Sequence, residues 1–170
     1  MSVSSSSSHG NVGLAALCLY LPLSDTAMNL RTIYYTHAAG MLVSLPSSRD
    51  GFFKIGFTVF RYNPINMDWF DTEVYSVFYS QNAGSITDEP LAAHRLSLLF
   101  MVFAIGSLMN TALPAFNLDA EKYHQLARAA LFHFSFLDNP TLNAIQCLVS
   151  NEIRTPFVRT HIHHFDFSSS

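Results

Sequence analysis

Charge is scarce in this chain. Only 12% of its 170 residues are Asp, Glu, Lys or Arg, against ~25% in an average globular domain. Hydrophobic residues make up 49%, which excludes disorder of the whole chain. So few charges can hardly cover a surface, and this points to packing against further chain or a partner. Nine Lys plus Arg against twelve Asp plus Glu leave a formal net charge of -3. No three basic residues run together, whereas DNA contact calls for a basic face, so direct DNA binding by this chain is not expected. Two cysteines, Cys18 and Cys147, are too few for a disulfide framework or a cysteine-rich zinc site. They read as two buried thiols in a reducing compartment. HExxH, GxSxG, the P-loop and GxGxxG are all missing. No nucleophile stands beside a base. The sequence therefore offers no catalytic, cofactor-binding or metal-ligating residue, and the chain is not expected to be an enzyme.

The chain opens on a serine-rich stretch, 1–11, with almost nothing to bury and an expectation of disorder. The apolar run Val12–Leu23 has no basic residue before it and is too short to span a bilayer, so neither a signal peptide nor a span is expected there. Ser24 or Asp25 can cap a following helix. Within that helix Leu30, Ile33, Tyr34 and Ala38 share one face at helical spacing. The segment 40–60 changes character. Phe53, Ile55, Phe57 and Val59 alternate with Lys54, Gly56 and Thr58, which suits a strand over Phe52–Phe60, yet the sequence holds no second strand to pair with it. After the turn signal Asn63-Pro64, Trp69, Phe70, Val74, Val77 and Phe78 suit a short amphipathic helix. A polar loop follows over Gln81–Glu89.

Leu91–Asn151 organises the rest. It reads as three helices separated at TALPAFN and LDNP, whose prolines Pro114 and Pro140 end helices. Leu96–Leu118 holds no charge and has the length of a membrane span. Ser97, Gly106, Ser107, Asn110 and Pro114 argue instead for a helix that ends near Asn110 and is buried all round. Asn117 can cap the next helix, over Leu118–Phe136. Asp119 and Glu121 sit near its positive end, and Tyr123, Leu126, Ala127, Ala130, Leu131 and Phe134 form its stripe. Proline at a first helical position after Asn139 starts the third helix, with Leu142, Ile145, Leu148 and Val149 as its apolar face. His94, His124 and His133 fall on separate positions and read as surface or interface residues. His161, His163, His164 and Asp166 are donor types that zinc or nickel accepts. They alternate along an extended tail without a scaffold, so a solvated tail is expected there.

Residues Ala92–Val149 resemble the fungal-specific transcription factor domain, or middle homology region, of zinc-cluster regulators. The matching pieces are HRLSLLFMVFAIGSLMN, the LP after it, DAEKYHQLARAAL and LDNPTLNAIQCL. RYNPINMDWFDTEVYSVFY is similar to the segment that precedes them in that family, and LPLSDTAMNLRTIYYTHAA is similar, more loosely, to the helix before. The resemblance implies an all-α fold: an irregular helical array, an incomplete fragment of a regulatory domain covering 12–153. It carries a short non-helical insertion at 40–60 and an off-pattern tail at 154–170. It implies a nuclear regulatory or interaction module that controls transcription without contacting DNA itself. Zinc and DNA would belong to the family's binuclear six-cysteine cluster, which this chain lacks. The partners implied are other proteins or the missing remainder of the same domain. Two rivals stand beside this reading: a small membrane protein spanning at 96–116, and a metal-binding protein using the histidine tail. In the family the helix ending near YYTHAA runs almost directly into the Tyr-Asn-Pro segment. The insertion at 40–60 is thus either an ordinary surface loop or an in-frame retained intron.

Overall fold

The computed structural model describes residues 13–38, 65–80, 88–114 and 117–151. Segment 40–60 with its strand-like Phe52–Phe60, most of the 81–89 loop, and the tail 154–170 with its histidines lie outside them. The fold is all-α, with 73% of the described residues helical and no strand among them. In chain order the elements are α1 (Leu14–Cys18), α2 (Ser24–Ala38), α3 (Met67–Phe70), a π-helical turn (Asp71–Tyr75), α4 (Ser76–Tyr79), α5 (Pro90–Leu108), α6 (Leu118–Leu131) and α7 (142–151).

α5 is the axis of the array. Pro90 opens it, a position where the missing N–H costs nothing. Fifteen of its 19 residues are buried, among them every one from Leu96 to Ser107. A helix with no polar face needs neighbours on every side, and α5 has them. Its length and mean hydropathy of 1.7 would suit a membrane span, but 78% of that window is buried inside the protein. Tyr123 of α6 stacks on Phe100 at 6.3 Å between centroids and meets Phe103 edge-on at 5.8 Å. Tyr79 of α4 meets Phe103 from another side at 6.4 Å. α2 crosses at Gly106, where an added Cβ would lie 2.3 Å from the Leu30 carbonyl oxygen. Leu30, Tyr34 and Ala27 are the buried residues of α2, and Ile33 is only half-buried. The helix starts one residue earlier than capping by Ser24 or Asp25 requires: the Leu23 carbonyl accepts from Ala27 N–H.

The segment 67–79 begins on Asn66, whose side chain accepts from Trp69 N–H at 2.9 Å. Phe70, Val74 and Phe78 are buried and Trp69 and Val77 half-buried, as the amphipathic pattern requires. The widened π turn between them was not visible in that pattern. Two ion pairs fasten it. Asp71 accepts from Arg31 of α2, and Glu73 accepts from Arg95 of α5 at 2.8 Å. The Arg31 guanidinium also lies 5.4 Å from the Tyr75 ring centre and 6.0 Å from that of Tyr35, within cation–π range.

α6 is capped by Asn117, which accepts from Asp119 N–H at 2.9 Å. Tyr123, Ala127, Ala130 and Leu131 of its stripe are buried. The helix stops at Leu131 instead of reaching Phe136, so Phe134 and Leu126 are only half-buried. Leu118 is 86% exposed.

Two predictions follow from this packing. Gly106→Ala must push the α2 backbone away from α5 and should cost about 1–3 kcal/mol, although alanine is the better helix former. Gly13→Ala has open space and should leave the denaturation midpoint unchanged; equal midpoints for both variants would refute the close crossing. In the second, Leu131→Ala should cost about 2–5 kcal/mol, Leu126→Ala less, and Leu118→Ala within about 0.5 kcal/mol of nothing, by urea denaturation.

Candidate functional site

α7 is the element whose surface departs furthest from its sequence pattern. Pro140 does not enter the helix; Thr141 caps it instead. The Thr141 hydroxyl oxygen accepts from Ala144 N–H at 3.2 Å, and the Thr141 carbonyl accepts from Ile145 N–H. The face built of Leu142, Ile145 and Leu148 does not point into the core. Leu142 is 60% exposed, Ile145 53% and Leu148 36%, with Val149 half-buried. The opposite face is inside. Asn143, Ala144, Gln146, Cys147 and Ser150 are buried there, at the i, i+3, i+4, i+7 spacing of one helical stripe.

The neighbouring helices explain the inversion. α5 presents His94 and Ser97 towards α7, both fully buried, and α6 presents His124. Three side-chain contacts join the helices. His94 Nδ1 lies 2.9 Å from Thr141 Oγ1, at the start of α7. Ser97 Oγ lies 2.9 Å from Cys147 Sγ, near its middle. His124 Nε2 lies 2.7 Å from Asn151 Oδ1, the last described residue of α7. A polar surface on α5 and α6 can be covered only by a polar surface on α7, because a buried polar group left unmatched costs ~1–3 kcal/mol. For His94 and His124, where the sequence leads one to expect a surface or interface position, the surface alternative is corrected. Both are buried, and His133 is half-buried with its Nε2 2.9 Å from Asp88. Their i, i+3 relation, with His94 and Ser97 on one turn of an otherwise apolar helix, was the available signal of a polar contact.

The seam is incompletely matched. His94 Nε2, Asn143 Oδ1 and Ser150 Oγ are buried without a hydrogen-bond partner among the described residues. Burial lowers the pKa of His94 below the ordinary value. Burial pushes the Cys147 thiol up to about 11, with the Ser97 hydrogen bond opposing it, so Cys147 is an inert thiol and not a nucleophile. Cys18 is half-buried, its pKa also raised by burial, and both cysteines are free. No group of three His, Cys, Asp or Glu that could hold a metal ion occurs among the described residues; His161, His163, His164 and Asp166 lie beyond them.

No family model, curated protein or solved structure matches the chain.

The outward stripe on α7 has a measurable consequence. Leu142→Gln with Ile145→Gln should leave the melting midpoint within about 0.5 kcal/mol of the native chain. Ser97→Leu, which buries an apolar group against Cys147, should be strongly destabilising. Loss of stability in the α7 double variant, with no effect at Ser97, would mean that α7 faces the other way.

Proposed function

We propose that this chain is a regulatory and interaction module of a fungal zinc-cluster transcription factor, nuclear, and acting on transcription through protein contacts. The observation that carries the interaction reading is the outward stripe Leu142, Ile145 and Leu148. It lies in a stretch, 139–151, with no charged residue. An apolar, uncharged helical face left in water is the kind of surface that a protein partner, or the rest of a larger domain, covers.

The transcriptional reading rests on the resemblance described above. The helical pieces that carry it fall on separate helices: HRLSLLFMVFAIGSL on α5, DAEKYHQLARAAL on α6 and TLNAIQCL at α7. Their order along the chain is the family's order, and the all-α fold is the one that the family implies. In this reading DNA is contacted only through a zinc cluster carried elsewhere. Zinc is bound there and not by this chain.

A reporter assay tests the proposal. The chain fused to an unrelated DNA-binding domain should change transcription from that domain's promoter in fungal nuclei. The Leu142→Gln, Ile145→Gln, Leu148→Gln variant should lose most of the effect while keeping its helical circular-dichroism spectrum. The purified chain alone should give no sequence-selective gel shift. A selective shift that weakens steeply with salt, or a fusion without effect on transcription, would overturn the reading.

A further inference from the structure

We infer that α7 is an acid-releasable latch, opened at its first turn by protonation of His94 and retained at Asn151 by His124. The inference rests on the seam and holds whatever covers the outer face of α7.

The two histidines reach α7 at different places, His94 from α5 at Thr141 and His124 from α6 at Asn151, in opposite surroundings. At the first turn, Thr141 Oγ1 accepts from Ala144 N–H and has its own proton to donate to His94 Nδ1. The neutral ring fits this arrangement. Protonation adds a hydrogen at Nδ1, so the Thr141 hydroxyl must turn its own proton away, and it places a full charge on a ring whose Nε2–H, present in both forms, has no acceptor among the described residues. The cation would also be wholly enclosed, since His94 has no exposed surface. At Asn151 His124 has the side-chain oxygen Oδ1 2.7 Å from Nε2 and the Glu121 carboxylate 3.8 Å from Nδ1. An imidazolium there has an amide oxygen in hydrogen-bond reach on one side and a negative charge near the other.

Among the described residues no charged group bonds to His94, and Glu89 before α5 and Asp138 before α7 are exposed. On α5, Arg95 is a like charge and is engaged by Glu73. Before α5, Asp88 is engaged by His133. On α6, Asp119, Glu121, Lys122 and Arg128 are exposed, and His124 meets α7 at Asn151. α7 has no charged side chain, and its one titratable group, Cys147, is held by Ser97. The lowering of the His94 pKa by burial alone agrees with this. The sign follows. Above the ordinary histidine value of ~6.5 the ring is neutral whether the latch is open or shut. Below it the open form binds a proton that the shut form refuses, so closure is weakened as pH falls, until the lowered folded value is reached.

Cys147 reports the opening, because it lies on the inner face of α7, buried against Ser97 of α5. In a Cys18→Ser chain it is the only thiol. Its labelling by 4,4′-dithiodipyridine, which reacts in mild acid, is divided by the rate for the urea-unfolded chain at the same pH. Between about pH 7.5 and pH 5 this ratio should rise, by up to ~tenfold for each unit below ~6.5. His94→Asn, which keeps an acceptor for Thr141 but cannot titrate, should flatten the rise. His124→Asn should leave it. Amide hydrogen exchange on the native chain gives a second measure that needs no variant. Ala144 and Ile145 should lose protection in acid before Ser150 and Asn151, and before α5. A flat labelling ratio, an undiminished rise in His94→Asn, or loss of protection in all helices together would overturn the latch.

Discussion

The rest of the structure depends on burying α5 from all sides. A helix with an apolar stripe has its orientation chosen by that stripe. α5 has none, and seven consecutive residues from Leu98 to Ala104 are at most 1% exposed. Its orientation is therefore set by its few features that are not simply apolar. Gly106 admits the α2 backbone at Leu30. Arg95 reaches Glu73. His94 and Ser97 select the polar side of α7. The aromatic contacts of Phe100 and Phe103 with Tyr123 and Tyr79 fill the remaining sides. Apolar burial supplies most of the free energy of such a core, and the scattered polar positions supply its uniqueness.

The π turn at Asp71–Tyr75 answers a geometric conflict. The buried residues of that segment are Phe70, Val74 and Phe78, four apart. An α-helix has 3.6 residues per turn, so positions four apart drift round the helix at each step. A turn closed by i→i+5 bonds is wider and brings a four-residue spacing back towards one line. The same turn aims Asp71 at α2 and Glu73 at α5. Thr72 and Ser76 donate their hydroxyls to the carbonyls of Asp68 and Thr72, a side-chain pattern that loosens helical bonding. Around it, Arg31 Nε, Tyr35 OH, Asp71 Oδ1 and Tyr75 OH are buried without hydrogen-bond partners among the described residues, so the ion pair with Arg31 closes an incompletely satisfied polar corner.

How much of this could be read from the residues differs from helix to helix. α6 was legible in detail because its stripe alternates with charged residues: Asn117 caps it, and Tyr123, Ala127, Ala130 and Leu131 are inside. Its end was not, since Phe132–Phe136 keeps the apolar character without the helix. α5 was legible as a helix buried all round, from the absence of charge. α7 was legible as a helix with an apolar face, but not in the direction that the face takes. Periodicity states which residues share a face; it does not state where that face points. Leu142, Ile145 and Leu148 do share a face, and hydrophobicity alone places it inside. The answer lay on α5 and α6, in His94, Ser97 and His124. No property of the residues 142–151 contains it.

That inversion ties the stability of α7 to its use. A helix held by apolar packing is held by many weak contacts and comes away only with the core. α7 is held chiefly through side-chain contacts at Thr141, Cys147 and Asn151. A hydrogen bond inside a protein is worth only ~0.5–1.5 kcal/mol net, because water offers the same bond to the released groups. Asn143, Gln146 and Ser150 lose little on meeting solvent, whereas Leu142, Ile145 and Leu148 gain from leaving it. Covering the outer stripe therefore adds apolar burial to a helix whose inner seat is shallow, and whatever covers it determines how firmly α7 sits. Local openings are drawn from the least stable parts of a fold, and α7, seated by polar contacts and apolar towards solvent, is such a part.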